Sequence, residues 1–340
     1  MHGMKVSELG EFGLIDALAE LINKEAPKTA RVDRKHGYKL LIGIGDDTAA
    51  WKGSASTIEL FTTDTLVQDV HFVSGKITWD ELGWKALAVN YSDMAAMGGT
   101  PLYSVITLGL PQETLVEDIV EMYRGMLKVC KEYEGSIIGG DIVKSPTLFV
   151  TVALVGYCDK FPLTRSAAVA GEQVAVTGHL GSSGGGLRML LEDLTLEEGA
   201  AGYLRAAHNM PRPRIKEGQT LLNLGVKAAM DVSDGLVDDL SKMCKASKMS
   251  AVVHSSQVPV HESLKQAFPR DLLQLALGGG EDYELLFTAP EKVMAKVASS
   301  LPGQVSVIGE IVDGKAGEVK VLDEKGRAIP LKKGGWDHFR

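Results

Sequence analysis

Cysteine is scarce in this chain, and the little there is does not form a pattern. Cys130, Cys158 and Cys244 are the only three in 340 residues, far apart and outside any C-x-x-C spacing. That excludes a disulfide framework and fits reduced thiols in a cytoplasmic protein. Long apolar runs are missing too. No stretch approaches the roughly 18–20 residues a membrane helix needs, and the N-terminus lacks a signal peptide's basic start and apolar core. No membrane partner is expected. Positive charge is not in excess: 36 Lys and Arg face 44 Asp and Glu, for a formal charge of −8. Such a balance argues against nucleic acid or an anionic surface as the main partner. Small phosphorylated substrates stay open, because a bound cation reverses the local sign. There is no G-x-x-x-x-G-K-[ST] segment and no protein-kinase signature set, so neither P-loop nor protein-kinase chemistry is expected.

What is present is a globular composition, 45% hydrophobic and 24% charged, in a chain long enough for two domains. Helical apolar spacing covers Glu11–Asn23, about 80–98 and Glu113–Glu132, where Leu115, Ile119, Met122, Met126 and Val129 make one stripe. Strands are expected at Leu41–Ile44, 58–67, 102–110, Ser136–Ile138, Leu148–Tyr157 and Val174–Thr177, with GGDIVKSP read as a turn. A glycine loop, GHLGSSGGGL, then opens a helix at Leu187–Glu192. Its amides could hold an anion, or its glycines could serve a tight turn and close packing. The segment KFPLTRSAAVAGE is the best domain junction, giving domains 1–157 and 158–340. Two Ser-Asp pairs, Ser92-Asp93 and Ser233-Asp234, hint at an internal duplication.

Carboxylates carry the chemistry. They recur in GIGDD (Asp46, Asp47), TTDT (Asp64), NYSDMAAMGG (Asp93), IIGGD (Asp141) and MDVSDG (Asp231, Asp234). Each alone is equally a turn former or a helix cap. Asp93 is harder to explain so. It lies on a helix apolar on nearly every side, on a stripe with Ala86, Asn90 and Met97 that carries no Lys or Arg. A buried carboxylate needs a cation or several donors. Asp64 sits in an apolar strand segment beside Thr62 and Thr63 and raises the same demand. Hard divalent cations prefer oxygen-only ligands, and His and Cys are too few near these motifs for zinc. The set reads as a multi-Mg²⁺ phosphate site.

In order along the chain, GIGDDTAA, TTDTLVQDVHF, KALAVNYSDMAAMGGTP, IIGGDIVKSP, LTRSAA, DVSDGL, GGGEDYELLFT and GWDHF resemble the thiamine-monophosphate kinase family, part of the aminoimidazole-ribonucleotide-synthetase-like superfamily. GDD, SD, GGD and SDG are superfamily-wide; TDTLVxxVHF, KALAVNxSDxAAMG and GGGEDYELxFT with the WDHF tail are narrower. The resemblance implies an α/β (α+β) two-domain synthetase-like fold. Its N-terminal mixed sheet would bind Mg²⁺ and ATP and pair across a homodimer, and a C-terminal α/β domain would complete the active site. It implies ATP and thiamine monophosphate as partners and Mg²⁺ as cofactor, with a monovalent cation left open. Carried over residue by residue, it makes Asp47, Thr62, Thr63, Asp64, Asp93, Asp141, Asp231 and Asp234 metal ligands. Tyr123, Gly140, Asp141, Arg165 and Ser233 become ATP contacts, and His71, Glu281 and Trp336 contacts of the thiamine phosphate. Ile142 and Val143 stand where the family often carries hydroxyls, and Trp336 where some relatives carry Tyr.

The implied reaction attacks the γ-phosphorus of ATP with an acceptor phosphate oxygen. That nucleophile is already anionic near neutral pH, so no general base is expected. Rival readings are another ATP-using enzyme of the superfamily or a non-catalytic nucleotide and metal sensor. A selenophosphate synthetase would need a reactive Cys near the N-terminus, and a hydrogenase-maturation factor a C-terminal Cys. Neither is present.

Overall fold

A computed structural model describes residues 4–25, 37–42, 50–53 and 56–330. The chain divides into two units, one of Met1–Met94 with Thr100–Phe161, the other of Ala95–Gly99 with Pro162–Arg340. Among the described residues no helix is long and apolar enough to cross a membrane.

Unit 1 runs α1 (Val6–Glu25), β1 (Lys39–Ile42), β2 (Ala50–Lys52), β3 (Ile58–Val67), α2 (Trp79–Ala96), β4 (Thr100–Leu110), α3 (Val116–Tyr133), β5 (Ser136–Lys144) and β6 (Phe149–Cys158). Its main sheet has the order β3-β6-β4-β5, antiparallel except for the parallel pair β4–β5. Alternation decides the faces. Leu66, Val150, Val152, Leu154, Ile106 and Leu108 are buried, whereas Phe61, Thr63, Thr65, Val105 and Val143 are not. The apolar helix α2 is buried without interruption from Leu82 to Ser92, as its composition demands. In α3, Val116, Ile119, Met122, Tyr123, Met126, Val129 and Cys130 face inward at helical spacing.

Unit 2 runs β7 (Gln173–Thr177), α4 (Ser182–Leu191), α5 (Glu198–Asn209), α6 (Ile215–Leu224), β8 (Ala228–Asp231), α7 (Leu236–Ser247), β9 (Ser250–His254), α8 (Glu262–Ala267), α9 (Leu272–Gly278), β10 (Leu285–Ala289), α10 (Glu291–Ser300), β11 (Val305–Val312) and β12 (Val319–Leu322). The six strands order as β12-β9-β11-β7-β10-β8. Because β10 and β11 run against β7, β8 and β9, one edge of the sheet gathers the C-terminal ends of β7, β8 and β9 with the starts of β10 and β11. The motifs GHLGSS, DVSDG and GGGEDYE all leave or enter the sheet at that edge.

Three expectations change. GGDIVK is not a turn: Ser136–Lys144 is one continuous edge strand, and its glycine-aspartate signature is overridden by pairing with β4. The helix after the glycine loop starts at Ser182 rather than Leu187, so GSSGGGL forms its first turns. The Ser-Asp pairs are not equivalent, since Ser92-Asp93 is mid-helix and Ser233-Asp234 is a bend before α7. The hint of duplication fails with them.

Candidate active site

In unit 1, β3 and α2 bring three of the expected metal ligands together. Thr62 and Asp64 are two residues apart and so share the face under α2. The Thr62 hydroxyl donates to Asp93 Oδ2 at 2.5 Å. The Asp64 carboxyl is pushed up to about 6 by burial, then by the Asp93 charge and its hydrogen bond to that neighbour. Two carboxyls crowded in this way resist both being ionised unless a cation joins them. Asp93 is half-buried, less deep than the helix composition suggests. Asn90, one turn earlier and fully buried, donates its amide to the Ala86 carbonyl while its Oδ1 has no protein partner. Lys85 on the same helix is also completely buried, a cation the pattern around Asp93 did not reveal.

Other expected residues stand apart. Thr63 points to the opposite face and donates to the Val152 carbonyl at 2.8 Å. Asp141 lies on β5, the far edge strand from Asp64, on the row that runs Thr65, Thr151, Thr107, Asp141 across the sheet. Three strand spacings, about 14 Å, therefore separate the two carboxylates within unit 1, and alternation puts them on opposite faces. Gly140 precedes Asp141, and a Cβ there would meet the Ile106 carbonyl oxygen at 2.1 Å, so this strand tolerates only glycine at that point. Tyr123 is buried in α3, where desolvation holds its hydroxyl well above the ordinary range. His71 follows β3 in a turn in which Asp69 is left-handed (φ 62°), and its Nδ1 accepts from the Val67 amide at 3.1 Å. That bond fixes the neutral ring's proton on Nε2. Asp47 and Trp336 lie outside the described residues.

In unit 2 the fold itself uses several acids, which narrows the choice among them. Asp239 Oδ2 accepts from the backbone amides of Ser233, Asp234 and Gly235 at 2.9, 2.9 and 3.1 Å, closing the turn before α7. Burial pushes the Asp239 carboxyl up, while Lys242 and the amides pull the other way. Lys242 bridges Asp239 and Asp234. Glu284 is buried, paired through two bonds with Arg214 and accepting from Thr177 Oγ1 at 2.6 Å. Asp282 accepts from the amides of Gly181 and Ser183 at 2.6 and 3.0 Å. The start of α4 is thus satisfied by the chain's own carboxylate, which answers the question of the glycine loop. Burial drives the Asp282 carboxyl up to about 7 against those two donors.

Of the three acids in GGGEDYE, Glu281 is the one that meets His208, with its Oε2 3.4 Å from the ring Nδ1. It is half-buried and left-handed (φ 63°), as is Tyr283 (φ 51°). Non-glycine residues in that region carry roughly 1–3 kcal/mol of strain, which surrounding bonds must hold. Its amide donates to the Ser233 carbonyl at 2.7 Å, joining the GGGED and VSDG turns directly. Asp231 is buried at the end of β8. Arg165 is exposed, and the Ser247 hydroxyl holds its carbonyl at 2.9 Å. His208 and Ser183 are both buried and were not anticipated as site residues; Ser183 lies in the glycine loop GHLGSSGGGL, whereas His208 belongs to no recognisable motif.

The comparisons agree on one family. Residues 45–158 match the AIR synthase related protein N-terminal domain and residues 169–322 the corresponding C-terminal domain. The thiamine-monophosphate kinase of Bacillus subtilis (strain 168) is 34% identical over 329 residues, covering 94% of this chain and 99% of that protein. A crystal structure of thiamine-monophosphate kinase from Stenotrophomonas maltophilia K279a superposes with a TM-score of 0.80 at 32% identity, over 94% of this chain and 98% of the other. A structure described as AaThiL complexed with AMPPCP and TMP gives a TM-score of 0.76 at 31% identity and covers both chains completely.

Proposed function

The chain belongs to the thiamine-monophosphate kinase family of AIR synthase related proteins, and from that premise we propose that it transfers the γ-phosphoryl group of ATP to thiamine monophosphate, forming thiamine diphosphate. The observation that carries this reading is the oxygen-only cluster of Thr62, Asp64 and Asp93. Its donors are hard oxygens, and its two carboxyls are close enough for the charge of one to raise the other, which fits Mg²⁺. Asp47, Thr63, Asp141, Asp231 and Asp234 are further metal ligands by family resemblance, with Thr63 and Asp141 on the face of the unit 1 sheet opposite this cluster. Mg²⁺ bound by these carboxylates would neutralise phosphate charge and align donor with acceptor.

The chain's own residues do the rest. Gly140 is a nucleotide contact by resemblance; the Ile106 carbonyl occupies the place of its side chain and keeps β5 close to β4 beside Asp141. Ser233, Asp141 and Tyr123 are nucleotide contacts by resemblance, and Arg165 offers an exposed cation for phosphates. Glu281, His71 and Trp336 orient the thiamine phosphate. The acceptor oxygen is anionic near neutral pH, so transfer is direct and no side chain serves as general base. Isolation of a phosphorylated form of the protein during turnover would contradict direct transfer.

The molecule acts as a homodimer that pairs the uncovered face of the unit 1 sheet, where Phe61 is 71% exposed and Val105 and Val143 are also open. The buried, undisulfided thiols support a cytoplasmic site of action. Function is tested by incubating the protein with ATP, Mg²⁺ and thiamine monophosphate and following thiamine diphosphate by thiochrome fluorescence. Product is expected with this acceptor and not with free thiamine. ATP binding without product would turn the reading towards a nucleotide sensor.

A further inference from the structure

Glu281 is held by a side chain that no motif marks. His208, in the last turn of α5, places Nδ1 3.0 Å from Ser183 Oγ and 3.4 Å from Glu281 Oε2. The ring is buried, and so is Ser183, at 5% and 1% exposure, while Glu281 is half open. A ring lone pair turned toward a carboxylate would be repulsive, so the electrostatics favour a proton on Nδ1, donated between hydroxyl and carboxylate.

The glycine-rich segment makes this contact possible. A Cβ on Gly186 would lie 2.1 Å from the Leu204 carbonyl oxygen and 2.9 Å from the His208 Cβ, and one on Gly185 would press Leu264 and Leu204. Only bare backbone on α4 lets α5 come near enough for His208 to reach Ser183. Ser183 is also committed on its other side, since its amide donates to Asp282, the neighbour of Glu281. Consecutive acids are thereby fixed from one helix end, Asp282 directly and Glu281 through His208.

We propose that His208, seated by Ser183, is a positioning residue that sets the carboxylate of Glu281 for the thiamine phosphate acceptor. The proposal rests on the assignment of Glu281 to that acceptor. Among the contacts of Glu281, its amide bond to Ser233 holds the backbone and the His208 ring lies against the carboxylate. Without the ring, the carboxylate of a left-handed residue would lose the contact on its His208 side, and the acceptor would meet a less well positioned group.

The test is a set of kinetic constants for E281Q, H208L, H208N, S183A and the double variant E281Q/H208L. The ring lies 3.4 Å from the carboxylate, and H208L should raise the acceptor KM about tenfold, a loss of about 1.4 kcal/mol. The ATP KM should stay within about twofold, and S183A should give a smaller rise of the same kind. H208N keeps a nitrogen donor bonded to Cγ and should recover most of the loss, which a purely structural role would not allow. The double variant should be no worse than E281Q alone, because the histidine acts only through the carboxylate. Multiplying losses in the double variant would overturn the proposal, as would an unchanged acceptor KM in H208L with E281Q impaired. An unchanged acceptor KM in E281Q itself would instead remove the assignment of Glu281, and the proposal with it. If H208L does not fold, H208N and S183A carry the same comparison.

Discussion

At the scale of single residues, function depends on which acids the fold consumes and which it leaves. Asp239, Asp282 and Glu284 are spent on amides, an arginine and a threonine, whereas Thr62, Asp64 and Asp93 are crowded together so that the Asp93 charge helps raise the Asp64 carboxyl. The sequence singled out Asp64 and Asp93 through their apolar surroundings but did not reveal that Asp239, Asp282 and Glu284 are consumed by the fold, because the amides and side chains that engage them come largely from other segments. Asp282 gives the sharpest residue-scale prediction. Its folded carboxyl sits near 7, above its ordinary 3.8. Between those values the unfolded chain ionises while the folded one does not, so the stability it contributes below about pH 4 is lost as pH rises to about 7. D282N should remove that slope. Melting temperatures from pH 5 to pH 8 should fall more steeply for the parent chain than for the variant; parallel curves would show that the two amide donors outweigh burial.

The reading of elements succeeded where one period ran unbroken. Strand Ile58–Val67 and the buried helix α2 follow directly from apolar composition, and α3 from its inward stripe. It failed where glycine clusters imitate turns. Gly139-Gly140-Asp141 is the middle of an edge strand, and Gly184-Gly185-Gly186 lies inside α4. In both places glycine answers a neighbour's close approach, the Ile106 carbonyl in one and the Leu204 carbonyl in the other. Such contacts join segments distant in sequence and leave no local trace. His208 was invisible for the same reason. The prediction here concerns G186A. Its methyl must displace the carbonyl of Leu204, and overpacking of this kind costs about 1–3 kcal/mol. Urea unfolding should show that loss, together with a raised acceptor KM as α5 moves off α4. A variant as stable as the parent, with unchanged KM, would mean that α4 and α5 do not need this contact.

At the scale of the whole molecule, the two-unit α/β architecture and the family were legible from ordered motifs spread over nearly the full length. The spacing of the site was not. Nothing in the sequence indicates that Asp64 and Asp141 belong to opposite edges of one sheet, because strand order is set by long-range pairing. The open sheet face makes a further prediction. Phe61→Asp should shift the protein from dimer to monomer in sedimentation velocity, with helix content unchanged; a parent chain that sediments as a monomer at all concentrations would contradict the proposed pairing. The account as a whole stands on a cation-dependent phosphoryl transfer that needs the carboxylate of Asp64. Its most direct test is thiamine diphosphate formation from ATP and thiamine monophosphate over a Mg²⁺ titration, with the parent chain and D64N side by side and matched melting curves. The account predicts saturable, Mg²⁺-dependent product from the parent and at least a hundredfold less from a folded D64N, about 2.7 kcal/mol or more of lost transition-state stabilisation. Equal rates from the two proteins, or a rate indifferent to Mg²⁺, would contradict it.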